Sequence, residues 1–258
     1  MEIATIGIDI GKSWFHAVGF DDRGKIVLRR RCSRTELMRQ LATVPKCVVA
    51  MEACCGAHHL GRTFAAQGHE VRLIPPQYVK PFVKSHKNDL VDAEAIGEAV
   101  QRPTMRFVPL KTVDQLDLQA VHRVRARLVA HRAAVINQLC GLLLERGVTF
   151  PVGRRALLER LPDVIANPAG ALSPRFCQLL TRLREEWQGL DEAIHDIDQE
   201  IATLAREDEA FCRLTQVPGI GPLTTTAFVA AVGHGAAFTK GRDFAAWLGT
   251  GAAATFDR

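Results

Sequence analysis

The sequence lacks the features of a membrane or secreted protein. It has no run of about 18 apolar residues, so no membrane-spanning helix is expected. The N-terminus, Met1-Glu2-Ile3-Ala4, has no basic segment followed by an apolar one, so no signal peptide is expected. The seven cysteines include no CxxC pair, which argues against a zinc site and favours reduced thiols. These absences predict a cytoplasmic protein that makes no membrane contact.

Charge is distributed unevenly along the chain, which carries a net charge of +5. From Arg102 to Arg160 basic residues outnumber acidic ones by 11 to 4, whereas from Phe176 to Ala210 acidic residues outnumber basic ones by 10 to 3. A basic segment of this kind is typical of a protein that binds a polyanion. A solvated helix face without a ligand would give the same pattern, so this alternative stays open.

The N-terminal stretch Thr5–Val18 predicts two strands joined by a tight Gly-Lys-Ser turn. Its isoleucines alternate on one face of the first strand, so Asp9 shares the other face with Gly7 and Gly11. A carboxylate in such an apolar run costs several kcal/mol unless it is paired or holds a metal. The alternative is an aspartate that caps the Gly11 turn.

The following segments alternate between strand and helix patterns. The order of three strands, helix, strand, helix and strand is that of a ribonuclease H-like sheet, so an α/β domain of that class is expected. Glu52 ends the fourth strand, and ligands of open sheets gather at strand ends. The segments after the opening hairpin are predicted as a strand at Lys25–Arg31, a helix capped by Ser33 or Thr35, a strand at Cys47–Met51, a helix ending at Gln67 and a strand at Glu70–Ile74.

Two further acids begin the next predicted helix, which Asn88 can cap. Asp89 and Asp92 are three residues apart and therefore lie on one helical face, although acids in a first turn also complement the helix dipole. Mg²⁺ prefers oxygen ligands, and clustered carboxylates can hold the ions that assist phosphoryl displacement. Asp9, Glu52, Asp89 and Asp92 are therefore candidate ligands of a magnesium site for phosphodiester chemistry on nucleic acid.

Two long helices are predicted in the second half of the chain. The first, Thr112–Arg146, carries Arg123, Arg127 and Arg132 on a cationic surface suited to a phosphate backbone. In the second, Phe176–Leu204, apolar residues recur at alternating spacings of four and three, which is typical of a coiled coil. Its partner could be the first helix folding back or a second copy of the chain.

A helix-hairpin-helix is predicted around Val217–Gly221, where Gly219 and Gly221 would let backbone N–H groups approach a phosphate. A plain pair of antiparallel helices is the alternative. The segment 77–87 is basic and predicted to be irregular. Three lysines complete the set of predicted nucleic-acid contacts: Lys12, Lys84 and Lys87.

The combination of motifs resembles the DEDD-type insertion-sequence transposases of the family numbered 110, which also includes the Piv DNA invertase. The matching segments are Gly7–Lys12, Met51–Cys54, Lys87–Ala93, Val217–Gly221 and Phe244–Gly249, so the resemblance covers nearly the whole chain.

The resemblance implies a RuvC-like ribonuclease H fold in which Asp9, Glu52, Asp89 and Asp92 bind Mg²⁺. It also implies a bacterial, nucleoid-associated protein that acts on DNA as a homodimer or homotetramer, and relatives use a structured non-coding RNA that bridges donor and target DNA. The expected domains are a catalytic domain at 1–108, an all-α region with a coiled-coil helix pair at 109–210, and a C-terminal domain with the helix-hairpin-helix at 211–258.

The C-terminal segment departs from the family pattern. Family members carry a serine nucleophile there, but the serines of this chain stand at positions 13, 33, 85 and 173. No nucleophile is therefore assigned, and Thr250 and Thr255 are chemically possible substitutes. The expectation is a truncated transposase that binds metal and nucleic acid but does not complete strand exchange.

Two other functions are considered. A catalytically inactive remnant would bind nucleic acid with a steep salt dependence and oligomerise through Phe176–Leu204. An actin-like or sugar-kinase ATPase also begins with a Gly-Ile-Asp-Ile-Gly strand, but it needs a second phosphate loop rich in Asp and Gly, which this sequence lacks.

Overall fold

The computed structural model divides the chain into two compact units, Met1–Thr112 and Val113–Arg258. The predicted division into 1–108, 109–210 and 211–258 stays a prediction. Within the described part of the chain, no helix combines the length and the apolar character needed to cross a membrane. The described residues are 2–84, 88–151, 153–166, 172–233, 235 and 238–248.

The N-terminal unit contains a five-stranded mixed sheet with the strand order β3-β2-β1-β4-β5. The first three strands are antiparallel neighbours, whereas β4 runs parallel to both β1 and β5. The predicted order of strands and helices is thereby confirmed. The strands are β1 (Thr5–Ile10), β2 (Phe15–Phe20), β3 (Ile26–Cys32), β4 (Val48–Glu52) and β5 (Glu70–Ile74).

The helices of this unit begin where the sequence supplies caps. The Ser33 hydroxyl accepts a hydrogen bond from the Glu36 N–H, and the Asn88 side chain accepts one from the Leu90 N–H. The predicted irregular segment is wrong at its start, because Pro76 occupies the first position of a helical turn, where a missing N–H costs nothing. The helices are α1 (Arg34–Thr43), α2 (Ala57–Ala66), α3 (Pro76–Val79), a 3₁₀ turn (Lys80–Phe82) and α4 (Asp89–Ala99).

The two faces of the sheet are covered by different helices. Ile6 and Ile8 are buried in one cluster with residues of α1 and α2. Gly7 points the other way, and a Cβ atom added to it would lie within 3.0 Å of main-chain atoms of Ala93 and Gly97 in α4. The absence of side chains therefore lets α4 approach β1 closely, on the face that also carries Asp9.

The second unit is helical. Helix α6 has no counterpart among the predicted elements, and Pro162 inside it interrupts the usual helical signal. The helices are α5 (Val113–Leu144), α6 (Arg154–Ala166), α7 (Pro174–Glu207), α8 (Glu209–Thr215), α9 (Pro222–Val232) and α10 (Gly241–Trp247).

Helices α5 and α7 pack against each other in antiparallel orientation. Arg125 pairs with Asp198, Arg132 pairs with Asp191, and the Arg146 guanidinium lies over the Phe176 ring. The residue numbers of these partners increase along α5 while they decrease along α7, so the two helices run in opposite directions. The apolar side of α7 is thus covered by α5 of the same chain, while coiled-coil geometry stays a prediction. The buried seam contains Leu128, Val135, Leu139, Leu180, Trp187 and Ile194.

Candidate active site

Two predicted acids lie at the same end of neighbouring parallel strands. Ile8 of β1 pairs with Met51 of β4, so Asp9 and Glu52 both follow a paired residue near the carboxyl ends of these strands. This is the edge at which open α/β sheets bind their ligands.

The other two acids enter from α4. Asp89 and Asp92 lie in its first turn, and α4 crosses β1 on the face that carries Asp9. Burial, followed by the negative charges of Asp92, Asp89 and Glu52, raises the pKa of Asp9 to about 6, although His16 opposes this shift. The fold therefore brings the four predicted carboxylates into one electrostatic neighbourhood.

The pKa of Glu52 is raised, like that of Asp9. Burial, followed by the charge of Asp92, raises the pKa of Glu52, while Lys80 opposes this shift. Cys54 also borders the group, because burial and then the charges of Glu52 and Asp9 raise the pKa of its thiol. Lys80 and Cys54 were not among the predicted site residues, since only the fold shows that they stand beside the acids.

His16 is a further member of this neighbourhood that the sequence analysis did not single out. It lies opposite Asp9 in the β1–β2 pairing and is buried. Its Nδ1 atom lies 3.9 Å from Asp9 Oδ2 and 3.7 Å from Asp89 Oδ2, which is too long for a hydrogen bond. This nitrogen has no hydrogen-bond partner among the described residues. A buried nitrogen without a partner, between two carboxylates, is unusual in a hydrophobic core and is typical of a functional site.

The four acids are not close enough to one another to coordinate a metal ion together in this structure. Across the described ranges, no three side chains of His, Cys, Asp or Glu lie close enough together to hold a metal ion. The roles of Asp9, Glu52, Asp89 and Asp92 as metal ligands therefore stay a prediction, and what the structure contributes is their shared location and their mutual repulsion.

A cleft of about 490 Å³ opens beside the acids. Lys12, Trp14, His16, Arg31 and Asp89 line it, and the Lys12 side chain is exposed to solvent. A larger cleft of about 900 Å³ lies at the opposite ends of the strands and includes none of the four acids among its lining residues. We assign the chemistry to the smaller cleft because Asp89 lines it together with His16, whose Nδ1 atom lies near both Asp89 and Asp9.

The other predicted nucleic-acid contacts in the N-terminal unit have different surroundings. The Lys84 ammonium is held by Glu98 and Glu94, and the hydrogen bond to Glu98 is the largest cause of the raised pKa of Lys84. Lys87 lies outside the described residues.

The arginines predicted on α5 fall into two groups. Arg123 and Arg127 are exposed and form no ion pair with any residue that the structure describes. Arg132 instead donates a hydrogen bond to Asp191, which Arg154 also contacts. The acidic helix α7 therefore neutralises part of the cationic surface that the sequence predicted for nucleic acid.

The predicted hairpin glycines lie between α8 and α9. Gly219 has a φ of 87°, which favours glycine, and Gly221 precedes the first residue of α9, Pro222. Phosphate binding by these residues stays a prediction. The possible nucleophiles Thr250 and Thr255 lie outside the described residues.

Comparison with known proteins agrees with this arrangement of motifs. A family model of DEDD transposases of the IS110 type matches residues 6–147, and a model described as transposase IS116/IS110/IS902 family matches residues 212–253. The transposase for insertion sequence element IS1328 of Yersinia enterocolitica is 44% identical over 247 residues, which is 96% of this chain and 73% of the relative. The transposase for insertion sequence element IS1111A of Coxiella burnetii is 42% identical over 248 residues, 96% of this chain and 68% of the relative.

A third relative, a probable family 20 transposase of Pseudomonas aeruginosa, is 42% identical over 250 residues, covering 96% of this chain and 74% of the relative. The first family model includes all four predicted acids, and the second includes the segment from α8 to the C-terminal region. On this evidence, and in agreement with the resemblance seen in its motifs, the chain belongs to the IS110 family of insertion-sequence transposases.

Proposed function

We propose that this chain carries out Mg²⁺-dependent phosphodiester chemistry on DNA, with Asp9, Glu52, Asp89 and Asp92 as the metal-binding residues. Transposases act on DNA, and membership in a DEDD transposase family implies the use of a divalent metal. The observation that carries the proposal is the gathering of four carboxylates around a position where the pKa of Asp9 rises to about 6.

The chemistry of the donor set fits a hard divalent cation. All four groups offer carboxylate oxygens, which are the ligands that Mg²⁺ prefers. Their mutual repulsion costs free energy in the absence of a cation, and a bound cation would remove this cost. When bound, the metal would supply charge stabilisation to the reacting phosphodiester.

The remaining side chains of the cleft have supporting roles in this proposal. Lys12, exposed at the edge of the cleft, attracts and orients the DNA backbone. His16, whose Nδ1 atom lies between Asp9 and Asp89 without a hydrogen-bond partner among the described residues, offers a polar atom to the substrate at this point. Lys80 balances part of the charge of Glu52.

The helical unit contributes binding surfaces rather than chemistry. Arg123 and Arg127 are exposed cations on α5 and suit a phosphate backbone, either of DNA or of a structured guide RNA. The N-terminus of α9, after Gly219 and Gly221, suits a backbone phosphate in the manner of a helix-hairpin-helix. Assembly into a homodimer or homotetramer, the three-domain division and nucleoid association complete the proposal.

The second candidate function is a nucleic-acid-binding remnant without catalysis. It is favoured by Arg123 and Arg127 on α5, which are exposed and form no ion pair with any described residue. The expected truncation stays a prediction, and sequencing of the coding strand downstream of the last codon tests it. An in-frame continuation that encodes the serine segment would contradict it.

The test of the enzyme proposal is cleavage of a supercoiled plasmid that carries the insertion-sequence ends, in Mg²⁺ and in EDTA. We expect cleavage by the wild type only in Mg²⁺, and a loss of about a hundredfold or more in Asp9→Ala. Asp22→Ala is the matched control, because Asp22 is an exposed aspartate in the β2–β3 turn of the same unit.

The possible outcomes separate the two functions. Equal cleavage by Asp9→Ala and the wild type would refute the assignment of the acids. Tight, salt-dependent binding without Mg²⁺-dependent product in any variant would refute catalysis by this chain and support the binding remnant.

A further inference from the structure

Trp14 occupies an unusual position beside the acid cluster. It lies in the turn between β1 and β2 and keeps 48% of its surface exposed, although tryptophan is on average strongly buried in folded proteins. The exposed indole lines the same cleft as His16 and Asp89. An aromatic face is therefore presented to solvent next to the residues proposed to carry the chemistry.

Arg31 orders this indole. Its guanidinium lies 4.3 Å from the centre of the Trp14 ring, and Arg31 pairs with His16 across the antiparallel strands β2 and β3. Within the described residues Arg31 forms no ion pair, whereas Arg29, two positions earlier on the same strand, is paired with Glu94. The positive charge of Arg31 is thus left available at the edge of the cleft.

The chemistry of strand exchange creates a need for such a surface. When a DNA strand is cut and transferred, the bases beside the reacting phosphate leave their paired partners and lose stacking. An aromatic ring and an arginine restore stacking for any base, because every base has a π-face, and they add attraction for the adjacent phosphate. This contact does not depend on base sequence.

We propose that Trp14 and Arg31 form a stacking platform for an unpaired nucleobase of single-stranded DNA next to the acid cluster. The inference rests on the proposed function, because it places the base beside the phosphodiester that reacts. It assigns to Trp14 and Arg31 a binding role, distinct from the metal-binding role of the four acids.

The molecule supplies its own matched control at the other edge of the sheet. Arg72 of the edge strand β5 lies over the exposed ring of Phe107, which is 37% exposed. Arg72, however, is paired with Glu70, and Phe107 does not line the cleft beside the acids. An effect of exposed aromatic residues in general would appear in both places, whereas an effect of the platform appears only at Trp14.

The experiment measures binding of a fluorescently labelled single-stranded oligonucleotide to the full chain in EDTA, which prevents cleavage. A second oligonucleotide has the same length and phosphates but abasic sites in place of its bases. We expect Trp14→Ala to weaken binding of the base-bearing strand about five- to hundredfold and to leave the abasic strand nearly unchanged. Trp14→Phe should retain most of the affinity, and Phe107→Ala should match the wild type.

Intrinsic fluorescence provides a direct readout of stacking. In the Trp247→Phe background, the remaining indoles are Trp14 and the fully buried Trp187. We expect the base-bearing strand, but not the abasic strand, to quench the emission, and this quenching should disappear in Trp14→Leu. A circular dichroism spectrum identifies any variant that fails to fold, and if Trp14→Ala does so, Trp14→Leu, which keeps more of the side-chain volume, carries the binding test with the same expected loss.

The outcomes distinguish the inference from the proposed function. Equal losses on both strands, or no loss on either, would overturn the stacking platform even if Mg²⁺-dependent cleavage is observed. Trp14-dependent quenching without any cleavage would support the platform and refute the catalytic proposal. Absence of binding to both strands would overturn the stacking platform, and the plasmid assay would then decide the catalytic proposal by itself.

Discussion

The two units of the molecule differ in how their charged residues are arranged. Between α5 and α7, arginines meet aspartates, as in the pairs of Arg125 with Asp198 and of Arg132 with Asp191. At the edge of the sheet, acids meet other acids, and burial together with the charges of Asp92 and Asp89 raises the pKa of Asp9. Paired charges stabilise a fold modestly, whereas gathered like charges reduce its stability unless a ligand is bound.

The same contrast occurs within a single helix. In α4, Glu94 pairs with Arg29 and Lys84, and Glu98 also pairs with Lys84. Asp92, two residues before Glu94 and six before Glu98, forms no ion pair with any described residue, and its charge helps to raise the pKa of Asp9. The later acids of α4 are therefore held in ion pairs, whereas Asp92 in its first turn lies beside other acids.

The largest effect is expected from a substitution that disrupts the close packing of α4 against β1. In Gly7→Ala the new Cβ would lie within 3.0 Å of main-chain atoms of Ala93 and Gly97, which cannot rotate away. We expect a loss of about 3 kcal/mol or more in the free energy of unfolding, measured by urea titration. The control is Gly141→Ala on α5, where no atom lies within 4 Å of the new Cβ. We expect it to gain about 0.5–1 kcal/mol from helix propensity, and equal losses in both variants would contradict the close-contact argument.

The next effect tests the repulsion between the acids. The pKa of Asp9 is about 6 in the folded chain against 3.8 for an ordinary aspartate, so the native state holds the proton more tightly and stability falls as pH rises from about 4 to about 6. Asp9→Asn should therefore be about 1–2 kcal/mol more stable than the wild type near pH 7, after a discount for partial exposure, and should lose this advantage below pH 4.

The effect of added Mg²⁺ provides a second comparison of the wild type with Asp9→Asn. In thermal unfolding at pH 7, added Mg²⁺ should stabilise the wild type through binding to the native state and should stabilise Asp9→Asn much less. If Asp9→Asn is less stable than the wild type at pH 7, the acids do not repel one another as described. An equal response of both proteins to Mg²⁺ would contradict Asp9 as a metal ligand.

The smallest effect on stability is expected when the exposed, unpaired arginines of α5 are replaced and compared with a paired one. Arg123→Gln combined with Arg127→Gln removes two exposed cations and should change the free energy of unfolding by less than about 0.5 kcal/mol. The same double variant should lower the slope of log K against log salt for DNA binding by about two. Arg125→Gln, which removes the partner of Asp198, should cost up to about 1 kcal/mol and leave the slope unchanged. An equal fall in slope for Arg125→Gln would remove the distinction.

Much of the N-terminal fold could be predicted from local sequence. The alternation around Asp9 places it correctly on the face opposite the isoleucines, Asn88 caps α4 as expected, and β5 occupies the predicted residues Glu70–Ile74. These features depend on neighbouring residues only, and for that reason the sequence reveals them.

The features that escaped prediction depend on contacts between distant residues. The approach of α4 to β1 requires Gly7 and Gly97 to meet across a long separation in sequence. His16 becomes part of the site only when β2 pairs with β1, and Arg132 becomes neutralised only when α5 lies against Asp191. The charge of a residue is visible in the sequence, but the partner that it meets is not.

The contact between Gly7 and α4 also limits how the cleft could change. Since main chain rests against main chain, the spacing between the strand acids and the helix acids is set by the thickness of the polypeptide backbone, which no substitution can reduce. A larger residue at Gly7 could only widen the gap between Asp9 and Asp92, whereas one at Gly97 would meet the ring of Phe20. The spacing between Asp9 and Asp92 is therefore a property of the backbone that side-chain variation elsewhere leaves nearly constant.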